Sequence, residues 1–236
     1  MKIIIFTIFP KIIENFCNES LLGKSLKNSL WELKIVNFRD YSKDGHKKVD
    51  DTPYGGNHGM VIKPDVLGDS IEANCDLKNT KLYYMSPRGE KLNQKKIKEI
   101  NNISQDFDIG IICGRYEGID ERVIEEYNIE EISIGDFVIM GGELPALMLI
   151  EGLIRCIDGV VGDKNSIIED SFGGITDNIF NNLLEYPLYT KPRIWKNRKV
   201  PEVLLSGNHS EINKWKIEKA KEITLIRRKD LLNNKI

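Results

Sequence analysis

Three glycine-bearing turns follow short apolar runs, and their residue types suit a ligand site: Ser86-Pro87-Arg88-Gly89, Cys113-Gly114-Arg115-Tyr116-Glu117-Gly118, and Ser133-Ile134-Gly135-Asp136 leading to Gly141-Gly142-Glu143-Leu144-Pro145. Without a Cβ, glycine lets backbone amides approach a bound molecule, and open α/β sheets collect ligands beyond the carboxyl ends of their strands. Tight strand-to-helix connections need glycine as well, so the turns indicate a pocket only jointly. Spacing argues against other chemistries. Gly23-Lys24-Ser25 resembles the end of a phosphate-binding loop, but the earlier glycine would fall at Asn18. Gly55-Gly56-Asn57-His58-Gly59 lacks the dinucleotide-binding register, and no nucleophile elbow is present. Cys17, Cys75, Cys113 and Cys156 form no C-x-x-C pair, and His46, His58 and His209 stand far apart, so no protein-bound metal is expected.

A net charge of -2 conceals a division at Tyr186. Residues up to Glu185 hold 21 basic and 31 acidic side chains, a charge of -10, whereas the remainder holds 13 and 5, a charge of +8. Lys191, Arg193, Arg198, Lys199, Lys214, Lys216 and the run Arg227-Arg228-Lys229 suit a phosphate backbone; a solvated helix face explains them equally well. With 236 residues, 41% hydrophobic and 30% charged, the composition excludes disordered and fibrous classes and predicts one large domain with a small appendage. The apolar opening Ile3–Phe6 is too short for a membrane span and lacks a secretory cleavage site, so a cytoplasmic location without membrane attachment is expected.

These turns need strands and helices to position them. Strands are expected at Lys2–Phe6, Leu33–Asn37, Lys81–Met85, Ile109–Cys113 and Ile132–Ile134, with amphipathic helices at Pro10–Phe16, Leu21–Lys27, Asn93–Asn101 and Ile119–Tyr127. That alternation predicts an α/β domain with a mostly parallel sheet. A broad-faced helix is expected from Pro145 to a stop at Gly159, with Glu151, Arg155 and Asp158 on its polar side. The expected division is a first domain over 1–159, a flexible linker over 160–175 and a small basic helical domain over 176–236. The last helix is expected to start at Asn208, with Glu211 as capping partner.

The ordered blocks Phe6–Pro10, Val49–Gly56, Cys113–Arg122, Ser133–Asp136, Gly141–Ala146, Glu169-Asp170-Ser171-Phe172 and Val200–Gly207 span nearly the whole sequence. Together they resemble the bacterial tRNA (guanine-N1)-methyltransferases, knotted enzymes of the SPOUT type. The resemblance implies a trefoil-knotted domain in which the glycine-rich loops hold S-adenosylmethionine, a homodimer with active sites at the subunit interface, and transfer of the methyl group to N1 of guanosine 37 of tRNA, preceded by guanosine 36. Magnesium, if used, would act as a free ion. A non-catalytic RNA-binding homologue, or a SPOUT enzyme acting on another RNA, is the alternative.

Methylating guanine N1 requires removal of its proton, and negative charge then builds on O6. By motif, the resemblance implies Asp170 as the general base and Arg155 as the cation assisting guanine. From the residues alone, Asp170 reads more readily as a helix N-cap than as a base, and Arg155 reads as the partner of Glu151 in a surface pair. For cofactor binding it implies Pro87, Gly114, Tyr116, Glu117, Ile134, Gly135, Asp136, Phe137, Val138, Ile139, Gly141, Gly142 and Pro145, with Glu117 toward the amino-acid end. For tRNA it implies Asp51, Gly55, Gly56 and Ser171, with Lys191, Arg193 and Lys214 on phosphates. Tyr116 and Phe137 also read as core aromatics. The sequence departs from the family pattern at Asn57-His58, where glycine and proline are usual, at Phe137, commonly tyrosine, and at Arg193, where an acid is usual.

Overall fold

The computed structural model describes residues 1–56, 58–162, 169–173 and 179–232. The chain divides into two compact units, Met1–Gly162 and Asp163–Ile236.

The first unit is built on a five-stranded parallel sheet. Its strands are β1 (Lys2–Thr7), β2 (Glu32–Asn37), β5 (Thr80–Lys91), β6 (Asp108–Ile112) and β7 (Glu130–Ser133), in the order β2-β1-β6-β5-β7. Helices α1 (Pro10–Cys17), α2 (Ser20–Lys27), α3 (Pro64–Asn74), α4 (Gln94–Ile103), α5 (Glu121–Glu126) and α6 (Glu143–Arg155) surround it. A strand covered on both faces reads as a continuous apolar run, and Ile3-Ile4-Ile5-Phe6 of β1 is fully buried. Its side chains alternate between two cores. Ile3 and Ile5 join Tyr83, Ile111, Leu149 and Leu153, whereas Ile4 and Phe6 join Phe38, Val66, Leu67 and Leu82.

Several expected boundaries move. The helix expected over Ile119–Tyr127 is only Glu121–Glu126, because Ile119 is held extended beside Ile62 and the Asp120 carboxylate caps the helix by accepting from Arg122 N at 3.0 Å. The helix expected from Pro145 to the Gly159 stop runs instead from Glu143 to Arg155. β5 extends well past Met85: its pairing with Ile132 passes from Met85 to Glu90, so Ser86–Gly89 is carried out of register as a loop beside β7. Helix α3 and the antiparallel pair β3 (Asp50–Asp51) and β4 (Val61–Ile62) were not anticipated.

Among the described residues the second unit contains a helix at His209–Arg227, 3-10 turns, and a small hairpin of β8 (Ile194–Trp195) and β9 (Arg198–Lys199). The hairpin was not anticipated. The helix is capped as expected, Asn208 Oδ1 accepting from Glu211 N at 3.4 Å. Phe180, Leu183 and Ala220 form a modest core, and the buried Thr224 hydroxyl accepts from Leu184 N at 2.8 Å. Within the stretch expected as linker, Phe172 N donates to Leu183 O at 2.7 Å and the Ser171 hydroxyl accepts from Glu185 N at 2.9 Å.

Candidate functional site

The out-of-register loop 86–89 within β5 and the loops after β6 and β7 surround a cleft of about 190 Å³ in the first unit. Parallel strands put these three loops at one edge of the sheet, which is why turns 86–89, 113–118 and 133–142 meet. Of the thirteen residues expected at a cofactor, all but Asp136 line this cleft; Asp136 is exposed and pairs with Lys91 at 2.5 Å. Ser86, Arg115, Gly118 and Ser133, from the turns expected to form a pocket, line it as well; Tyr84, Met85, Ile132 and Met140 also line it and were not foreseen. Burial, reinforced by the charge of Glu131, pushes the Tyr84 phenol up to about 12, which keeps it neutral at physiological pH.

Gly142 allows the chain after β7 to lie against the turn after β6. Its N donates to Gly114 O at 2.9 Å, and a Cβ there would sit 2.8 Å from Cys113 Cα and Gly114 N, both backbone atoms. Phe137, Val138 and Met140 form an exposed apolar lip, while Ile132 and Pro145 are buried in the wall. The mixture of close backbone and apolar side chains suits a flat heterocycle recognised along one polar edge. Glu117 and Arg115 supply opposite charges in the lining.

Arg115 also reaches away from the cleft. Its Nη2 lies 2.7 Å from Glu143 Oε2, out of line for a hydrogen bond, so charge rather than a directed bond makes the contact. Glu143, at 1% exposure, accepts from the Thr7 hydroxyl at 2.8 Å through Oε1. Arg115 also stacks over Phe9, 4.5 Å from the ring centroid, and donates to Met140 O at 3.4 Å. The pair thus ties the end of β1 to the turn after β6 and the start of α6. A Cβ on Gly141 would sit 2.3 Å from Arg115 Nε, so this small residue makes room for the tie.

The remaining expected residues occupy other surfaces. Asp51 lines a second, open cleft of about 730 Å³ in the first unit, with Tyr54, Lys63 and Arg122 among its neighbours. Its carboxylate is held below the usual range by a hydrogen bond from Thr52 N and the nearby Lys48 ammonium. Gly55 and Gly56 follow on the exposed turn but do not line that cleft. Arg155 is exposed at the end of α6. In the second unit, Asp170 and Ser171 are half-buried, whereas Lys191, Arg193 and Lys214 are exposed. Among the described residues, no group of three His, Cys, Asp or Glu side chains is placed to hold a metal, and no helix is long and apolar enough to cross a membrane.

Residues 1–234 match the family described as tRNA (Guanine-1)-methyltransferase TrmD. The chain belongs to this family. Among its relatives, a tRNA (guanine-N(1)-)-methyltransferase of Pelagibacter ubique is 45% identical over 227 residues, covering 96% of this chain and 95% of the relative. Proteins of the same description from Rickettsia akari and Wolbachia pipientis wMel are 46% and 45% identical, covering 98% and 100% of this chain and 97% of each relative.

Within this tRNA (guanine-1)-methyltransferase family member, the three departures from the motif pattern fall at different places. Asn57 lies outside the described residues, and His58 is exposed beside it in sequence. Phe137 forms part of the cleft lip, and Arg193 is exposed in the second unit. The Arg115–Glu143–Thr7 tie was missed because two of its members read as ordinary parts of glycine turns. The available signal was an acid and an arginine set in two turns expected to meet at one pocket.

Proposed function

We propose that this chain transfers the methyl group of S-adenosylmethionine to N1 of guanosine 37 of tRNA, preceded by guanosine 36. Membership of the methyltransferase family and the convergence of three glycine turns on one cleft support this reading; the convergence is the observation that carries it. When bound, the cofactor supplies an electrophilic methyl on a sulfonium. Gly114 and the run from Ile134 to Ile139 hold adenine and ribose through backbone contacts, Pro87, Gly141, Gly142 and Pro145 shape the loops, and Glu117 meets the amino-acid end. Tyr116, Gly135, Phe137 and Val138 complete the enclosure, and Asp136 acts through its loop.

Asp170 accepts the N1 proton as the nitrogen forms its bond to the methyl carbon and the sulfur–carbon bond breaks. Arg155 donates to guanine O6, where charge accumulates. A carboxylate is a weak base at neutral pH, so contacts at O6 that make N1 more acidic share the work. Asp51, Gly55, Gly56 and Ser171 recognise guanine and its surroundings, whereas Lys191, Arg193 and Lys214 hold phosphates. Any magnesium comes from solution. The enzyme is cytoplasmic.

The same reading assigns a knotted cofactor domain over 1–159, a linker over 160–175 and a small helical tRNA-binding domain over 176–236. A homodimer with active sites at its interface is supported by an exposed apolar face on two helices that pack together: Ile12 and Phe16 of α1, with Leu144 and Met148 of α6. With methyl-labelled cofactor and an unmodified tRNA transcript, label should map to N1 of guanosine 37. Cofactor binding without transfer would favour the non-catalytic homologue, and transfer to another RNA would favour the other SPOUT activity.

A further inference from the structure

We propose that the β8–β9 hairpin is a docking surface for an unpaired nucleotide of tRNA, with Trp195 stacking on the base and Arg198 engaging the adjoining phosphate. This rests on the tRNA reading above but adds a base contact that phosphate-binding lysines do not provide. From residue 191 to 199 the chain carries Lys191, Arg193, Lys196, Arg198 and Lys199 and no acidic residue, and every position is exposed. The partner is therefore anionic.

The hairpin also presents a flat apolar ring. Trp195 pairs across the ladder with Arg198, and cross-strand partners project from the same face, so indole and guanidinium stand side by side. Lys196 and Asn197 form the two-residue connection with φ of 46° and 64°, left-handed backbone suited to a tight hairpin. Val200 N donates to Arg193 O at 3.0 Å and extends the pairing at the base. Trp195 remains 60% exposed, with Lys196 Nζ 5.0 Å from its ring centroid. An aromatic platform among cations combines stacking with backbone neutralisation, the pairing used to hold single-stranded nucleic acid. An acidic protein surface would satisfy the charge but leave the indole without a stacking partner.

The test uses the full chain and a tRNA transcript, with binding followed by anisotropy of labelled tRNA. Trp195→Ala should weaken binding about tenfold, while Trp195→Phe, which keeps an aromatic face, should remain within about threefold. Both variants should keep wild-type affinity for S-adenosylmethionine, separating this effect from failure to fold. In the wild-type protein, tRNA should also shield Trp195 from acrylamide, with Trp195→Phe separating its share of fluorescence from that of the half-buried Trp215; Trp31 is only 2% exposed. Duplex RNA without unpaired bases should give little shielding. Wild-type affinity in Trp195→Ala, equal shielding by duplex RNA, or shielding that grows with protein concentration in the absence of RNA would overturn the proposal. If the wild-type protein bound no tRNA, the reading beneath it would fail instead.

Discussion

A carboxylate as secluded as Glu143 persists because other groups replace its water, and the Thr7 hydroxyl and Arg115 guanidinium do so. Removing it leaves a half-buried arginine without its counter-charge. Glu143→Ala should therefore lose about 3 kcal/mol of stability in denaturant unfolding, the lower end for breaking such a pair because Arg115 keeps some solvent. A loss within about 0.5 kcal/mol, the range of ordinary surface substitutions, would show the tie to be dispensable. Asp170 makes a different kind of demand: Asp170→Asn should retain cofactor affinity but lose methyl transfer by about 100-fold or more, the usual contribution of a general base. Unchanged turnover would remove Asp170 from the chemistry. The glycines lining the cleft were legible because each turn announces itself within a few residues. The Thr7–Glu143 bond joins positions 136 residues apart, and nothing near either residue in sequence marks the other as its partner.

At the scale of elements, the loop before α6 must lie almost against the loop after β6. Gly142→Ala places a methyl group against backbone that cannot rotate aside, so cofactor affinity should fall at least about tenfold, as expected when a positioning loop is displaced. Calorimetric titration with S-adenosylmethionine reads this directly, and undiminished affinity would separate the loop contact from binding. The central strands were legible from β-branched runs, and the second-unit helix from its Asn208 cap. Helix α3 was not: Val66, Leu67 and Ile71 face the core, but Gly68 interrupts them and reads as a break. The shortened α5 and the out-of-register loop 86–89 depend on pairing with distant strands, which local periodicity does not carry.

At the scale of the molecule, charge is divided between a negative portion up to Glu185 and a positive C-terminal portion, and that division was plain from composition. The second unit also contains an internal electrostatic tie. Burial opposes ionisation of Glu169, but hydrogen bonds from Lys216, at 2.7 Å, and from Tyr186 outweigh it and lower its pKa. A lowered carboxylate pKa adds stability that is full above the unfolded value of about 4.5 and disappears as pH falls through the folded value. The melting advantage of wild type over Glu169→Gln should be constant near neutrality and shrink below about pH 4.5. An advantage independent of pH would assign the effect to packing instead.

The central claim is tested most directly by paired tRNA transcripts that differ only at nucleotide 37 and share guanosine 36. Incubated with wild-type protein and methyl-labelled S-adenosylmethionine, the guanosine 37 transcript should acquire one methyl group at N1 and the adenosine 37 transcript none. Equal labelling of both, or label confined to another nucleotide, would contradict the account.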